Sequence, residues 1–233
     1  MTVNAALIFA AGFGTRMGQL TKTMAKPMIQ VAGKPLIDYA VDLVSDAQIQ
    51  NVVVNLHYFP DQLETHLSQY KNITTLREQD EILETGGGLK NALPLLGNNP
   101  VVTLNSDAVW TGRNPLSLLI DAWNPDEMDA LLVLVPTQNA QEHRGTGDFN
   151  LDAKSRLSRK GSAVSAPYVY TGAQIIKTDA LANIPETSFS LNLLWDQMLA
   201  QDRIYGVVHH GGWVDVGRPA GITVAEAELV KHV

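Results

Sequence analysis

The sequence predicts an α/β fold in which a mainly parallel β-sheet is covered by helices on both faces. Short, continuously apolar segments recur through residues 1–135, and segments with helical periodicity lie between them. Proline or glycine marks the start of most of these helical segments. Because an alternating strand–helix pattern is typical of parallel sheets, and continuously apolar strands are buried on both faces, helices are needed on each side.

The first part of the chain is predicted to contain five strands and four helices. The strands are expected at residues 5–10, 51–56, 73–77, 101–104 and 130–135. The helices are expected at residues 36–47, 60–70, 85–95 and 115–123. Leu63 and Leu67 illustrate the helical pattern, because residues four apart lie on one helix face.

The pattern changes after Pro136 to α+β. Strands are expected at residues 147–152, 156–160, 168–177, 204–209 and 213–217, with helices at 191–201 and 220–230. No linker composition separates this part from the first. We therefore expect one domain over residues 1–233.

Composition excludes several function classes. The net charge of −7 argues against a general nucleic-acid-binding protein, which needs a basic surface. The absence of cysteine excludes disulfides, thiolate metal sites and a thiol nucleophile. Residues 1–4 lack the cationic start of a signal peptide, and no apolar run approaches the roughly 20 residues of a membrane span. We expect a cytoplasmic protein that binds neither nucleic acid nor membrane.

A glycine-rich turn follows the first predicted strand and suggests a phosphate ligand. It contains Arg16, and Lys26 follows ten residues later, before a proline. Its glycines are Gly12, Gly14 and Gly18. Glycine allows backbone N–H groups to approach phosphate oxygens, and the two cations offset the phosphate charge. Taken alone, the turn is equally compatible with a simple strand–helix connection.

The two common phosphate-binding motifs do not fit this chain. A dinucleotide fingerprint would need glycine at position 17, which is Met17. A Walker A loop fails because Pro35 follows the Gly-Lys pair at residues 33–34. A Rossmann dehydrogenase and a P-loop enzyme are therefore both disfavoured.

Three segments are expected to converge on one crevice. They are the first glycine turn, a second one at residues 85–88, and the Asn-Ser-Asp corner at residues 105–107. Each follows a predicted strand, and ligands of open α/β sheets bind at the carboxyl ends of the strands.

The ordered motifs resemble those of the sugar-phosphate nucleotidyltransferases over nearly the whole chain. GFGTRM at residues 12–17 with Lys-Pro-Met at 26–28 is similar to the family signature, and ETGGG at 84–88 resembles its second glycine loop. Residues 105–107, 171–172 and 213–217 match later motifs in the family's order. Segments 83–88, 147–149 and 213–217 most resemble the short bacterial N-acetylmuramate-1-phosphate uridylyltransferases.

This resemblance implies a Rossmann-like, mostly parallel mixed sheet of the nucleotide-diphospho-sugar transferase type. Residues 1–135 would form the nucleotide-binding part and residues 136–233 the sugar-binding part. The implied nucleotide contacts are Ala10, Gly12, Gly14, Thr15, Arg16, Glu84 and Gly87. The implied sugar contacts are Asn105, Gly147, Asp148, Thr171 and Gly172. Two departures, Ala25 in place of proline and Ser106 in place of glycine, remove no charged group.

The implied chemistry needs charge neutralisation and no general base. A sugar phosphate attacks the α-phosphorus of a nucleoside triphosphate, and it is already ionised because its second pKa is about 6. The resemblance assigns Arg16 and Lys26 as catalytic residues and Asp107 and Asp215 as ligands of Mg²⁺, which suits carboxylates with phosphate oxygens.

Several interpretations remain open from the sequence. The substrates are expected to be UTP and N-acetylmuramate 1-phosphate, giving UDP-N-acetylmuramate for peptidoglycan recycling in a monomer or small homo-oligomer. Alternatives are GTP with mannose 1-phosphate, another hexose phosphate, or a non-catalytic nucleotide-sugar-binding subunit. Glu84 either pairs with Lys90 or contacts the base or ribose, and Trp110 either stacks on sugar or packs. The loop carrying His143 is a candidate cover for the substrate. The adjacent His209 and His210 would point to opposite sides.

Overall fold

The computed structural model describes residues 3–97 and 100–231. The interpretation of the N-terminal residues therefore falls partly on Met1 and Thr2, which lie outside the described residues. Across the described part of the chain, no helix combines the length and apolar character that crossing a bilayer requires.

The strands of the structure follow the apolar segments closely. In chain order they are β1 Ala5–Phe9, β2 Gln30–Val31, β3 Lys34–Pro35, β4 Asn51–Leu56, β5 Ile73–Arg77, β6 Val101–Asn105, β7 Ala108–Trp110, β8 Ala130–Pro136, β9 Ala140–Gln141, β10 Phe149–Leu151, β11 Leu157–Arg159, β12 Tyr168–Ile176, β13 Ile204–Val208 and β14 Trp213–Asp215. Of these, β2, β3, β7 and β9 are absent from the predicted strands, because two or three residues give little measurable periodicity.

The α-helices begin within one residue of the predicted starts and end within three residues of the predicted ends. They are α1 Leu36–Asp46, α2 Pro60–Leu67, α3 Glu84–Leu96, α4 Pro115–Ala122, α5 Asn192–Ala200 and α6 Pro219–Val230. Short 3₁₀ segments at Thr15–Thr21 and Lys26–Met28 shape the loop after β1.

The main sheet is mixed, as the resemblance implies. Its order is β11-β10-β12-β6-β1-β4-β5, with β8 also paired to β12 and β13 paired to β8. The β6-β1-β4-β5 group is parallel, and β12 lies antiparallel between β6 and β8. The predicted α/β fold class is confirmed. The division into a nucleotide part and a sugar part stays a prediction. The two parts share one sheet, because β12 from the second part pairs with two strands of the first.

A small second sheet brings distant segments to the same edge. In it β14 lies between β7 and β9, and Asp215 of β14 pairs with Ala108 of β7. The backbone N–H of Val216 donates to the carbonyl oxygen of Asp107 at 2.9 Å. The segments that end in Asp107 and Asp215, 108 residues apart in sequence, are therefore hydrogen-bonded neighbours.

Candidate active site

Two adjoining cavities open at the carboxyl ends of β1, β4 and β6, and they share Asn105 and Asp107. The first cavity is lined by the loop after β1, by Lys26 and by the start of α3. The second is lined by Arg16, Asp215, the bulge of β12 and the loop after β9. The predicted convergence of three segments on one crevice is confirmed, since all three contribute to the first cavity.

Most of the predicted site residues line these two cavities. In the first cavity they are Ala10, Gly12, Lys26, Glu84, Asn105 and Asp107. In the second they are Arg16, Asn105, Asp107, Thr171, Gly172 and Asp215. Gly14, Thr15, Gly87, Gly147 and Asp148 line neither cavity. Direct substrate contact by these five residues stays a prediction.

Two of the five residues outside the cavities, Gly87 and Asp148, contact the backbone of neighbouring segments. A Cβ on Gly87 would lie 2.1 Å from the carbonyl oxygen of Thr187. Asp148 accepts a hydrogen bond at 2.9 Å from the backbone N–H of Tyr170, which fixes the start of β12 beside the second cavity. Gly87 therefore allows close packing against Thr187, and Asp148 positions the start of β12.

Lys26 and Asp107 form an ion pair at the boundary between the two cavities. Their Nζ and Oδ2 atoms are 2.5 Å apart, and the two side chains are only 9% and 28% exposed. Lys26 begins a 3₁₀ turn whose preceding residue, Ala25, donates its N–H to Gln62 of α2 at 2.9 Å. A cation that approaches Asp107 must therefore compete with the Lys26 ammonium.

Asp215 lies close enough to Asp107 for the two charges to interact. Burial raises the pKa of Asp215, and the negative charge of Asp107 raises it further, against the opposing effects of Lys26, Arg16 and His143. Two neighbouring carboxylates suit a hard divalent cation that keeps sites open for phosphate oxygens. Within residues 3–97 and 100–231, no group of three or more His, Asp or Glu side chains could hold an ion alone. The donor set thus fits a cation completed by substrate.

Close packing explains two glycines of the site. A Cβ on Gly14, which has a φ of +61°, would lie 2.7 Å from the Cβ of Lys26. A Cβ on Gly172, with a φ of +87°, would lie 2.6 Å from the Asn105 amide. Gly172 falls in the irregular stretch where the pairing of β12 with β8 shifts register. Both positions therefore require glycine for the placement of a neighbouring polar side chain.

Gly12 differs from them, because it lines the first cavity and a Cβ added there would meet no described atom within 4 Å beyond its chain neighbours. We expect Gly12→Ala to keep the thermal midpoint and to raise the KM for the triphosphate about 10- to 100-fold, because a misplaced reactant costs that much. Gly14→Ala should instead destabilise the fold by about 1–3 kcal/mol. Thermal melts and steady-state kinetics check both. An unchanged KM for the triphosphate in Gly12→Ala would show that the phosphates bind away from the loop at Gly12.

A buried polar network that the sequence analysis missed connects β1 to α3. Asn55 of β4 accepts from the N–H of Ala10 at 2.9 Å and donates to Glu78 at 2.7 Å. Glu78 in turn accepts from the N–H of Leu83 at 2.9 Å. The signal in the sequence was one asparagine inside the apolar strand β4. This network sets the distance between the two glycine loops.

The structure also decides several open interpretations. Lys90 donates to the carbonyl oxygen of Ile184, and Glu84, with a φ of +57°, lines the first cavity. Of the two alternatives for Glu84, the pairing with Lys90 is therefore not formed, and its contact with the nucleotide stays a prediction. Trp110 packs edge-on against His209 and Trp213 and lines neither cavity. His209 is buried, which lowers its pKa, and its ring lies 3.1 Å from the carbonyl of Thr111. The adjacent His210 is exposed, which agrees with the prediction that the two side chains point to opposite sides.

Comparison with known proteins decides the family. The family described as nucleotidyl transferase matches residues 5–232. The chain belongs to the nucleotidyl transferase family. The resemblance stated from its motifs is thereby confirmed.

Two relatives of this nucleotidyl transferase have the same name and match over nearly the full length. The N-acetylmuramate alpha-1-phosphate uridylyltransferase of Caulobacter vibrioides is 38% identical over 97% of each chain. The protein of that name from Neisseria meningitidis serogroup B is 31% identical over 95% of this chain and 96% of the relative.

A solved structure supports the fold of the nucleotidyl transferase. A crystal structure from Bacillus anthracis, assigned as a glucose-1-phosphate thymidylyltransferase, superposes with a TM-score of 0.81 at 15% identity. The match covers 98% of this chain and 96% of the other. The Rossmann-like nucleotide-diphospho-sugar transferase fold predicted from the motifs is confirmed by this likeness.

Proposed function

We propose that this nucleotidyl transferase converts UTP and N-acetylmuramate 1-phosphate to UDP-N-acetylmuramate and pyrophosphate. The observation that carries the proposal is the ion pair of Lys26 and Asp107, with Asp215 beside it, on the wall shared by two cavities. One cavity would hold each substrate, and the reacting phosphates would meet at that wall. The family and the names of both relatives support the reaction class and this choice of substrates.

The first cavity suits a nucleotide. Its floor is the loop at residues 10–12, whose backbone can approach phosphate oxygens, and Glu84 and Thr85 stand at its edge. The second cavity suits the sugar, because Asn105 and Thr171 offer polar atoms beside the β12 bulge. The sugar-phosphate oxygen attacks the α-phosphorus, a new P–O bond forms, and the bond from the α-phosphorus to the bridging oxygen of pyrophosphate breaks.

The cations of the chain would position and neutralise the phosphates. Lys26, which is almost fully buried, would bridge the attacking phosphate and the α-phosphate as a compact point charge. Arg16 is exposed in the loop and would hold the triphosphate and the departing pyrophosphate. Mg²⁺ held by Asp107 and Asp215 would supply further charge neutralisation at the phosphate oxygens.

The proposed reaction has consequences for cellular role. Its product is a cell-wall precursor, so we assign the protein to peptidoglycan recycling, and we place it in the cytoplasm where nucleoside triphosphates are abundant. One chain supplies both cavities, and a monomer or small homo-oligomer would serve.

The test is pyrophosphate release with Mg²⁺, using UTP, CTP, GTP and dTTP against N-acetylmuramate, N-acetylglucosamine, glucose and mannose 1-phosphates. We expect the highest kcat/KM for UTP with N-acetylmuramate 1-phosphate, and loss of turnover on chelation that added Mg²⁺ restores. A higher kcat/KM for GTP with mannose 1-phosphate, or for another pair, would replace the substrate assignment. No turnover in any pairing would reject the enzymatic proposal in favour of a binding subunit.

A further inference from the structure

The arginines of this chain divide into two groups by location. The chain has eight arginines, and five of them form ion pairs with carboxylates away from the two cavities: Arg77, Arg113, Arg156, Arg159 and Arg203. The other three, Arg16, Arg144 and Arg218, have no carboxylate partner among the described residues, and all line the second cavity. Unpaired guanidinium groups gathered in one cavity indicate an anionic ligand.

One of the three, Arg16, lies near the carboxylate of Asp215. A Cβ on Gly217 would lie 2.8 Å from Oδ1 of Asp215 and 3.1 Å from Nη2 of Arg16. Arg218 is the next residue in the chain, immediately before α6. Arg16 therefore lies where the phosphates would react, as Lys26 does. We assign Arg218 to the same side, because it directly follows Gly217 and lines the same cavity.

Arg144 lies in the loop of residues 142–147, whose residues 142–145 also line the second cavity. The carbonyl of Thr146 in this loop accepts from the N–H of Ala166 at 2.8 Å, just before β12. A Cβ on Gly147 would lie 2.0 Å from the carbonyl oxygen of Ala166, so the loop packs directly on that segment. The ring of His143, the residue preceding Arg144, lies with its centroid 6.1 Å from that of Trp213.

Arg144 lines the second cavity together with Thr171 and Gly172 of the β12 bulge, the residues that the proposed function gives to the sugar. The Arg144 side chain is exposed, and it makes no ion pair with Glu142, the nearby acidic residue of the same loop. A neutral sugar gives a guanidinium group no anion to bind. A carboxylate on the sugar would meet its planar fork with two parallel hydrogen bonds.

We propose that Arg144 is a specificity-determining residue that binds a carboxylate substituent on the sugar, separate from the phosphate. This inference rests on the proposed function, because N-acetylmuramate differs from N-acetylglucosamine by an ether-linked lactyl carboxylate. The pairing of Arg144 with that carboxylate would select the acidic sugar, while Lys26, Arg16 and Arg218 serve the phosphates of any sugar substrate.

The test compares the 1-phosphates of N-acetylmuramate and N-acetylglucosamine in Arg144→Gln and Arg144→Lys. We expect Arg144→Gln to raise the KM for the acidic sugar about 10- to 100-fold with little change in kcat, as the loss of a charged hydrogen-bond partner predicts. Kinetics with the neutral sugar should change less than about twofold. Arg144→Lys should recover part of the loss. Arg113→Gln, which alters a surface ion pair, is the matched control and should change the kinetics of neither sugar.

Arg218→Gln provides the contrast, because it should raise the KM for both sugar 1-phosphates by a similar factor. An equal loss for both sugars in Arg144→Gln would overturn the inference and assign Arg144 to the phosphate, and no loss for either would also overturn it. Calorimetric binding of UDP-N-acetylmuramate and UDP-N-acetylglucosamine gives an answer independent of turnover. A wild-type protein without preference for the acidic nucleotide sugar would reject the Arg144 subsite, whereas absent turnover with a clear preference would reject only the proposed reaction.

Discussion

Asp215→Ala is expected to lower kcat by at least about 10²–10³-fold, the loss typical of removing one electrostatic stabiliser from an active site. The variant leaves Asp107 as the remaining carboxylate of the pair, already engaged by Lys26. The fold should persist, because burial raises the pKa of Asp215 and the truncation removes a carboxylate that burial disfavours.

Pyrophosphate release measures the loss, and Mn²⁺ binding followed by electron paramagnetic resonance reports on the metal site without turnover. Asp121→Ala is the matched control, because Asp121 forms an exposed ion pair with Arg113 whose contribution to stability is about 0–1 kcal/mol. We expect the control to keep full activity. More than about one tenth of wild-type kcat in Asp215→Ala would remove Asp215 from the metal site.

Lys26→Met is expected to lower kcat/KM about 10²–10³-fold and to strengthen Mn²⁺ binding by the free protein. The first effect follows from loss of the buried cation between the two cavities. The second follows because Lys26 and Asp107 are 2.5 Å apart, so that removal of the ammonium frees the carboxylate. The side chain of Asp107 is 28% exposed and can be hydrated in the variant, so we expect a folded protein.

Lys34→Met is the matched control for this variant. Lys34 also pairs with an aspartate, Asp42, but both side chains lie on the surface, outside the two cavities. Steady-state kinetics and a metal titration should leave this control at wild-type values. Tighter Mn²⁺ binding without loss of activity in Lys26→Met would show that Lys26 only blocks the metal, and unchanged metal binding would show that the ion pair does not compete with it.

The sequence predicted the elements of this fold better than their arrangement. Residues 51–56 and 73–77 have the same bounds as the strands in the structure, since short segments rich in β-branched residues between turn residues allow little alternative. The same pattern says nothing about which strands become neighbours. The position of β12 between β6 and β8 depends on pairing over long sequence separation, as for Gln174 with Thr103, which local periodicity does not encode.

For the candidate site as well, the sequence indicated individual residues better than the contacts between them. Charged residues such as Arg16 and Asp215 could be named as candidates because their motifs resemble those of the family and their residue types suit phosphates and metals. The contact of Lys26 with Asp107 spans 81 residues and is visible only in the folded chain. Asn55 and Glu78 were missed because a structural polar pair and a surface polar pair look alike in sequence until burial is known.

The position of β12 has a consequence for how the chain acquires its fold. Strands β6 and β8 each have an open edge until residues 168–176 are available to pair with them. During synthesis, a nascent chain ending near residue 135 therefore exposes unpaired strand edges and apolar surface, the features that attract chaperones and favour aggregation. Docking of this late strand would complete the central sheet and close the gap beside β6 in one cooperative step. Folding speed should accordingly be set by long-range pairing.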